Sequence, residues 1–166
     1  MASAQPYAED LNIVDPDAIE RFGQVLARIG LNNAVNGVIR SDVLRRTAVI
    51  PDYLSADVVL IAELSLHGKI RQLEETLFYR RMSPDSATMM KPRSELLGTY
   101  YVSGNLATRF PRIRQSYGYL AAALRAPLTL RNRGRMLNRM ARQIYWDAPH
   151  VWRWLLASVG LGPKVD

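Results

Sequence analysis

The stretch that decides the fold is ADVVLIAELSLHG, residues 56–68. Its first twelve residues are mostly apolar, and Leu60, Ile61 and Leu64 recur at the spacing of one helical face. Gly68 supplies a stop signal at the end of this run. The sequence therefore predicts a buried helix over 56–67, although Val58 and Val59 also permit a strand start.

Two polar residues of this helix allow structural interpretations. Glu63 points away from the apolar face, which is typical of a surface or salt-bridged residue. His67 lies on the apolar face before Gly68, where a packed or capping histidine is expected.

The chain before this stretch predicts one longer helix. Asp15 can cap it, Pro16 suits its first position, and Gly30 marks its end. Apolar residues recur between these signals at helical spacing, at Ile19, Phe22, Leu26 and Ile29. A brief helix is expected from Ser41, whose hydroxyl can cap it.

Short extended runs and further helices make up the other predicted elements. The extended runs are expected at 34–39, 70–73 and 77–81, and the helices of the last third at 113–124, 131–145 and 148–159. This pattern predicts a mixed, helix-rich α/β fold.

Charge divides the chain of 166 residues, whose net charge is +7. Residues 1–100 contain 11 Lys/Arg and 13 Asp/Glu, a balance of −2, whereas residues 101–166 contain 11 Lys/Arg and two acids, a balance of +9. This shift predicts two regions, 1–100 and an arginine-rich helical region, 101–166. The chain has no cysteine, which excludes disulfides and thiolate metal sites. The sequence has neither a signal-peptide pattern nor a stretch of ~20 apolar residues, so a cytoplasmic location is expected.

The order of segments across 33–88 resembles the acceptor-side part of inverting family-2 glycosyltransferases of the GT-A fold, especially bacterial members. The segments are NAVNGVIRSDVLRRT, then YLSADVVLIAELSLHGKI, then ETLFYRRMSPDSAT. Such enzymes have an acidic motif that opens an apolar helix ending at Gly, followed by two strands, the second ending in Tyr-Arg-Arg. The resemblance implies a partial GT-A-like sheet followed by an all-helical basic tail.

The resemblance places the catalytic base at Asp57. In the family this carboxylate accepts the proton of the acceptor hydroxyl as that hydroxyl attacks the anomeric carbon. The residues alone allow another interpretation, because a carboxylate at a helix start also serves as an N-cap or first-turn residue.

Four further residues are candidates for binding the substrate or its diphosphate. Arg80 and Arg81 follow the second predicted strand, and guanidinium groups suit a diphosphate because they offer paired donors and permanent charge. Arg40 and Asp42 border the part of the chain that the resemblance implies contacts the acceptor. An exposed basic strand end and solvated turn residues are the alternative interpretations of these two pairs.

A metal site is not assigned. The resemblance implies that a divalent metal such as Mn or Mg could serve as cofactor, but Met82-Ser83-Pro84 stands where many members have a metal-binding His. Asp15-Pro16-Asp17 matches the Asp-x-Asp string with which many glycosyltransferases hold a metal, yet helix capping is the favoured interpretation.

The resemblance also implies a nucleotide sugar and a glycan or lipid-linked acceptor as partners. The roughly 30 residues before Ala34 are too few for the nucleotide-binding half, so the chain is expected to be a truncated form or to act with a half supplied elsewhere.

The alternative function is a non-catalytic helical module. Its arginine-rich tail would bind an anionic membrane surface or an acidic partner, with the chain peripheral on the inner face of the membrane. No recognised nucleic-acid motif is present, so no nucleic-acid partner is expected.

Overall fold

A computed structural model of the chain describes residues 11–80 and 111–142, with the backbone alone for 111–113. The elements within these ranges are α1 (Ala18–Arg28), a 3-10 helix (Asn33–Asn36), α2 (Ser41–Leu44), α3 (Ala56–His67), α4 (Pro111–Arg125) and a helical segment at residues 130–142, here called α5. They fall into two compact units, with the boundary between Leu128 and Thr129.

Helix α3 is the centre of the first unit, and it packs against α1 and α4. Ala56 and every residue from Val59 to Leu66 are buried. A helix that is apolar on nearly all sides must be covered on all sides, which explains its central position. The predicted buried helix over 56–67 is confirmed, and Val58 and Val59 belong to its first turn rather than to a strand.

Helix α1 begins two residues later than the sequence predicts. Asp17, rather than Asp15, is its N-cap, and its carboxylate accepts hydrogen bonds from the backbone N–H groups of Ile19 and Glu20. Asp15 in turn accepts the N–H of Asp17 at 2.8 Å. Both carboxylates of Asp15-Pro16-Asp17 therefore shape the start of the helix, as the capping interpretation predicts.

Aromatic and small residues fix α4 against its neighbours. The Phe22 and Tyr119 rings meet edge to face, with their centroids 5.6 Å apart. A Cβ atom added to Gly118 would lie 2.4 Å from Tyr53 Oη and 3.1 Å from Val59 Cγ1. Only glycine permits this close approach of α4 to the start of α3.

An ion pair between a buried glutamate and a partly exposed arginine joins the middle of α3 to the end of α4. Glu63 is only 1% exposed, and its two carboxylate oxygens accept hydrogen bonds from Arg125 Nε at 2.7 Å and Nη2 at 3.0 Å. This bidentate geometry compensates the buried charge. Of the two interpretations of Glu63, the salt-bridged residue is confirmed and the surface residue is wrong.

The predicted α/β fold with a partial GT-A-like sheet is wrong for the residues that the structure describes. Within residues 11–80 and 111–142 the only β interaction is one isolated antiparallel bridge, which joins Ile13 to Ile70. Part of the predicted run 34–39 forms the 3-10 helix, and residues 71–80 are exposed throughout. A strand needs a neighbouring segment that pairs with the N–H and C=O groups of several successive residues. The bridge pairs only one residue on each side, Ile13 and Ile70.

The helices predicted in the last third agree with the structure where it describes them. Helix α4 ends at Arg125, before Pro127, and residues 130–142 are helical within the predicted range 131–145. The predicted helix at 148–159 lies outside the described residues. In the parts of the chain that the structure covers, no helix has both the length and the apolar character needed to cross a membrane.

Candidate functional site

Asp57 lies in the first turn of α3 but does not take the N-cap position. That position belongs to Ser55, which has a left-handed backbone (φ 67°) and makes no side-chain capping bond. The Asp57 carboxylate instead accepts a hydrogen bond through Oδ2 from Asn32 Nδ2, at 2.8 Å. Its other oxygen, Oδ1, has no hydrogen-bond partner among residues 11–80 and 111–142. Asp57 therefore has one fixed oxygen and one that can accept a proton.

Asn32 is held in an unusual state for this contact. Its backbone is left-handed (φ 52°, ψ 44°), the residue is 3% exposed, and its buried Oδ1 has no hydrogen-bond partner in the described part of the chain. Asparagine tolerates the left-handed region better than most residues. A buried, unpaired carbonyl nevertheless costs about 1–3 kcal/mol, so this position is not optimised for stability alone.

Arg80 reaches the loop that carries Asn32. Its Nη1 donates to the Leu31 carbonyl at 3.1 Å and to Asn33 Oδ1 at 3.3 Å. Residues 31–33 therefore contact Asp57 through the middle residue and Arg80 through the outer two. One three-residue loop thus contacts both the carboxylate and one of the two arginines that the sequence singles out, which are 23 positions apart.

An arginine and three tyrosines lie beside the start of α3. Arg114 Cζ is 4.3 Å from the centroid of the Tyr53 ring and 5.3 Å from that of Tyr117, within cation–π distance of both. Tyr119 is buried and accepts a hydrogen bond from Gln115 Nε2 at 2.9 Å. Gly118, between Tyr117 and Tyr119, is the residue that abuts Tyr53 and Val59.

Electrostatic effects indicate that these tyrosines and Asp57 share one neighbourhood. Burial raises the pKa of Tyr119 to about 12, the hydrogen bond from Gln115 opposes this, and the charges of Tyr53 and Asp57 add to it. Burial likewise raises the pKa of Tyr53, and the positive charge of Arg114 acts in the opposite direction. Both phenols therefore stay protonated at neutral pH and can act as hydrogen-bond donors.

Among the described residues, no hydrogen bond or ion pair joins Arg40 or Asp42 to Asp57. Arg40 and Asp42 form an exposed ion pair of 3.5 Å with each other. Arg81, together with the segment Met82-Ser83-Pro84, lies outside the described residues.

The described residues show no metal site. Among residues 11–80 and 111–142, no group of three or more His, Cys, Asp or Glu side chains is arranged to hold a metal ion. The donors around Asp57 are an amide, phenols and guanidinium groups, which are poor ligands for Mg²⁺ or Mn²⁺. The described part of the site is therefore not assigned a metal.

Sequence patterns do not reveal Asn32 or Arg114. Asn32 follows Gly30 in a polar loop, which signals a turn but says nothing about a carboxylate 25 positions away. Arg114 is one of many arginines in the last third, and only the arrangement of α3 and α4 places it on Tyr53.

Comparison with known proteins finds no matching family model, no matching curated protein and no matching solved structure. The resemblance of residues 33–88 to family-2 glycosyltransferases accordingly stays a prediction.

Proposed function

We propose that this chain is a glycosyltransferase-related protein. It would transfer a sugar from a nucleotide sugar to the hydroxyl of a glycan or lipid-linked acceptor, together with a nucleotide-binding half supplied by another segment or chain. The observation that carries this proposal is the loop 31–33, which contacts both Asp57 and Arg80. It supports a site with a base and a phosphate-binding cation.

In the proposed reaction Asp57 is the general base. Its carboxylate takes the proton of the acceptor hydroxyl while the hydroxyl oxygen forms a bond to the anomeric carbon. The bond from that carbon to the diphosphate oxygen breaks, and its electron pair leaves with the nucleoside diphosphate. The hydrogen bond from Asn32 fixes Oδ2 and leaves Oδ1 to accept the proton.

Arg80 is proposed to stabilise the leaving diphosphate, together with Arg81. One Arg80 nitrogen, Nη1, is bound to the loop, which orients the guanidinium group. Developing negative charge on the diphosphate is stabilised most effectively by donors that are already in position.

The proposal is tested by measuring nucleoside diphosphate release. The chain, at high concentration, is incubated with uridine, guanosine and thymidine diphosphate sugars, each with and without a bacterial lipid extract or free oligosaccharides. Slow release that depends on one donor and on an acceptor supports sugar transfer. No release with any donor, combined with no calorimetric binding of any nucleoside diphosphate with or without Mn²⁺ or Mg²⁺, overturns the proposal.

A second candidate function is binding to an anionic membrane surface through α5. Arg131, Arg135 and Arg142 are exposed and recur at i, i+4 and i+11, which places them on one side of the helix. Two leucines, Leu130 and Leu137, are exposed seven residues apart. Arginines with exposed apolar side chains favour a lipid surface over a purely polar polyanion. This candidate implies a cytoplasmic chain peripheral to the inner face of the membrane.

Liposome flotation at low and high salt tests this second candidate. The triple variant Arg131→Gln/Arg135→Gln/Arg142→Gln is compared with Arg40→Gln/Arg45→Gln/Arg46→Gln, which removes the same charge from exposed arginines of the first unit. The membrane function predicts salt-sensitive flotation with phosphatidylglycerol vesicles that only the α5 variant loses. Equal losses in both variants, or no flotation of the wild type, would reject it.

A further inference from the structure

We propose that Arg114 is a binding residue for a phosphate group of the substrate, next to Asp57. This inference rests on the proposed function, since it names a chemical group that the sugar-transfer site would recognise. The phosphate is either part of a lipid- or sugar-linked acceptor or part of the donor diphosphate. No sequence motif assigns this role to Arg114.

The first argument is that the guanidinium group of Arg114 is held in place but not hydrogen-bonded. Tyr53 and Tyr117 lie within cation–π distance, and such contacts engage the face of the guanidinium group rather than its N–H donors. Among the described residues, Arg114 makes no hydrogen bond and no ion pair. Its five N–H donors therefore remain available to a ligand.

The second argument is the contrast with the other arginines of the first unit that are fixed in place. Arg21 donates to three backbone carbonyls, and Arg125 forms the bidentate pair with Glu63. These two have structural partners that use their donors. Arg114 is fixed by rings alone, and rings orient a cation without neutralising it.

The third argument is the local charge. Arg114 is the fourth residue of α4, whose first turn contains no acidic residue. The N-terminal end of a helix carries a partial positive charge, so a cation there is unfavourable unless an anion balances it. No Asp or Glu occurs anywhere between residues 96 and 146. The charge of Arg114 is therefore not balanced by an acid of its own helix.

The fourth argument is the position relative to Asp57. Arg114 stacks on Tyr53, and both Tyr53 and Asp57 act electrostatically on Tyr119. Gly118, one helical turn after Arg114, lies against Val59, which is two residues after Asp57. Asp57 and Arg114 thus both belong to the region where α4 packs against the start of α3, with Tyr117 exposed beside Arg114.

Phosphate binding is tested directly on the full chain, without any requirement for turnover. The probes are glycerol 3-phosphate and uridine diphosphate, titrated by calorimetry and by ³¹P NMR. We expect millimolar or tighter binding of at least one probe to the wild type and to Asp57→Asn. Arg114→Gln is expected to weaken it by about tenfold or more, because it removes a charge-assisted, paired contact.

Two further variants make the result specific. Arg45→Gln removes an equal charge from an exposed residue at the end of α2 and is expected to leave binding within about twofold, as screened surface charges do. Arg114→Lys keeps the charge but loses the planar fork, so an intermediate loss is expected. Loss of glycerol 3-phosphate binding in Arg114→Gln assigns the phosphate to the acceptor, and loss of uridine diphosphate binding alone assigns it to the donor.

The outcomes separate this inference from the proposed function. Phosphate binding that depends on Arg114, in a chain that never transfers sugar, keeps this inference and rejects the function. Sugar transfer with unchanged phosphate binding in folded Arg114→Gln and Arg114→Lys rejects this inference alone. No binding of either probe to the wild type also overturns it.

Discussion

Asn32 Nδ2 donates a hydrogen bond of 2.8 Å to Asp57 Oδ2, across 25 positions of the chain. The donor comes from a residue whose left-handed backbone and unpaired buried carbonyl are both unfavourable. The acceptor lies in the first turn of the central helix. Strained residues cluster at functional sites, and this motivates the proposal that the Asp57 carboxylate is functional.

Replacing Asn32 by glycine tests whether Asn32 serves to position Asp57 or to stabilise the fold. Glycine adopts the left-handed backbone readily and removes the unpaired carbonyl, so we expect the free energy of unfolding to change by no more than about 1 kcal/mol. Loss of the amide releases Asp57, and we expect sugar-transfer turnover to fall by about tenfold or more. Urea unfolding and nucleoside diphosphate release measure the two effects.

The control for that variant is Asn36→Gly, which alters an exposed asparagine at the end of the 3-10 helix that follows Asn32. It should leave turnover unchanged. A large loss of stability in Asn32→Gly with normal turnover per folded molecule would assign Asn32 a purely structural role.

Arg125→Ala is expected to destabilise the first unit strongly. The change leaves the carboxylate of Glu63 buried without its cation, which costs about 2–3 kcal/mol, less than in a fully buried pair because Arg125 is partly exposed. Thermal and urea unfolding of this variant are compared with Arg45→Ala, whose exposed side chain should contribute within about 0.5 kcal/mol. Equal midpoints for the two variants would contradict the account of Glu63 and Arg125 as a structural pair.

Replacement of two glycines by alanine is expected to change the stability in opposite directions. In Gly118→Ala the new methyl group would overlap Tyr53 Oη and press on Val59. Because Tyr53 is buried and cannot move aside freely, we expect a loss of about 1–3 kcal/mol. Gly134 has no atom within 4 Å of the corresponding point and lies in α5, so Gly134→Ala should be neutral or stabilising by up to about 1 kcal/mol.

Thermal unfolding of both glycine variants checks this prediction. A raised midpoint for Gly118→Ala would show that α4 does not approach the start of α3 as closely as described.

The buried imidazole of His67 is expected to make the fold less stable in mild acid. Burial lowers its pKa below 6.5, Glu63 opposes this, and Arg46 and Arg125 add to it. Neither ring nitrogen has a hydrogen-bond partner within residues 11–80 and 111–142. The unfolded chain therefore binds the proton more readily than the folded chain, so stability is full above about pH 6.5 and falls as the pH drops below it.

Urea unfolding at pH 7.5 and pH 5.5 measures the effect of His67. His67→Leu should reduce the difference between the two pH values relative to the wild type. An unchanged difference would mean that other groups cause the acid sensitivity.

Elements of the fold could be predicted from the sequence where consecutive residues encode them, and could not where they depend on residues far away in the chain. The helix 56–67 and its end at Gly68 are encoded in consecutive residues, and the structure has the same bounds. The predicted extended runs depend on partners elsewhere in the chain, and among the described residues only Ile13 and Ile70 pair. The burial of Glu63 was likewise not predictable, because its compensating charge comes from Arg125, 62 positions away.

The candidate site was predictable only in part, for the same reason. Asp57 and Arg80 are recognisable from the order of segments around them. Asn32 and Arg114 act through contacts that α3 creates with a distant loop and a distant helix, which no local pattern encodes.

The most direct test of the central claim, that Asp57 is the general base, is turnover of Asp57→Asn beside that of Asp52→Asn. Asp52 is exposed in the loop before α3, so its change removes an equal charge away from the Asn32 contact. The account predicts that nucleoside diphosphate release falls by about 100-fold or more in Asp57→Asn, with unchanged circular dichroism, and stays at the wild-type rate in Asp52→Asn. Wild-type turnover in a folded Asp57→Asn variant would contradict it.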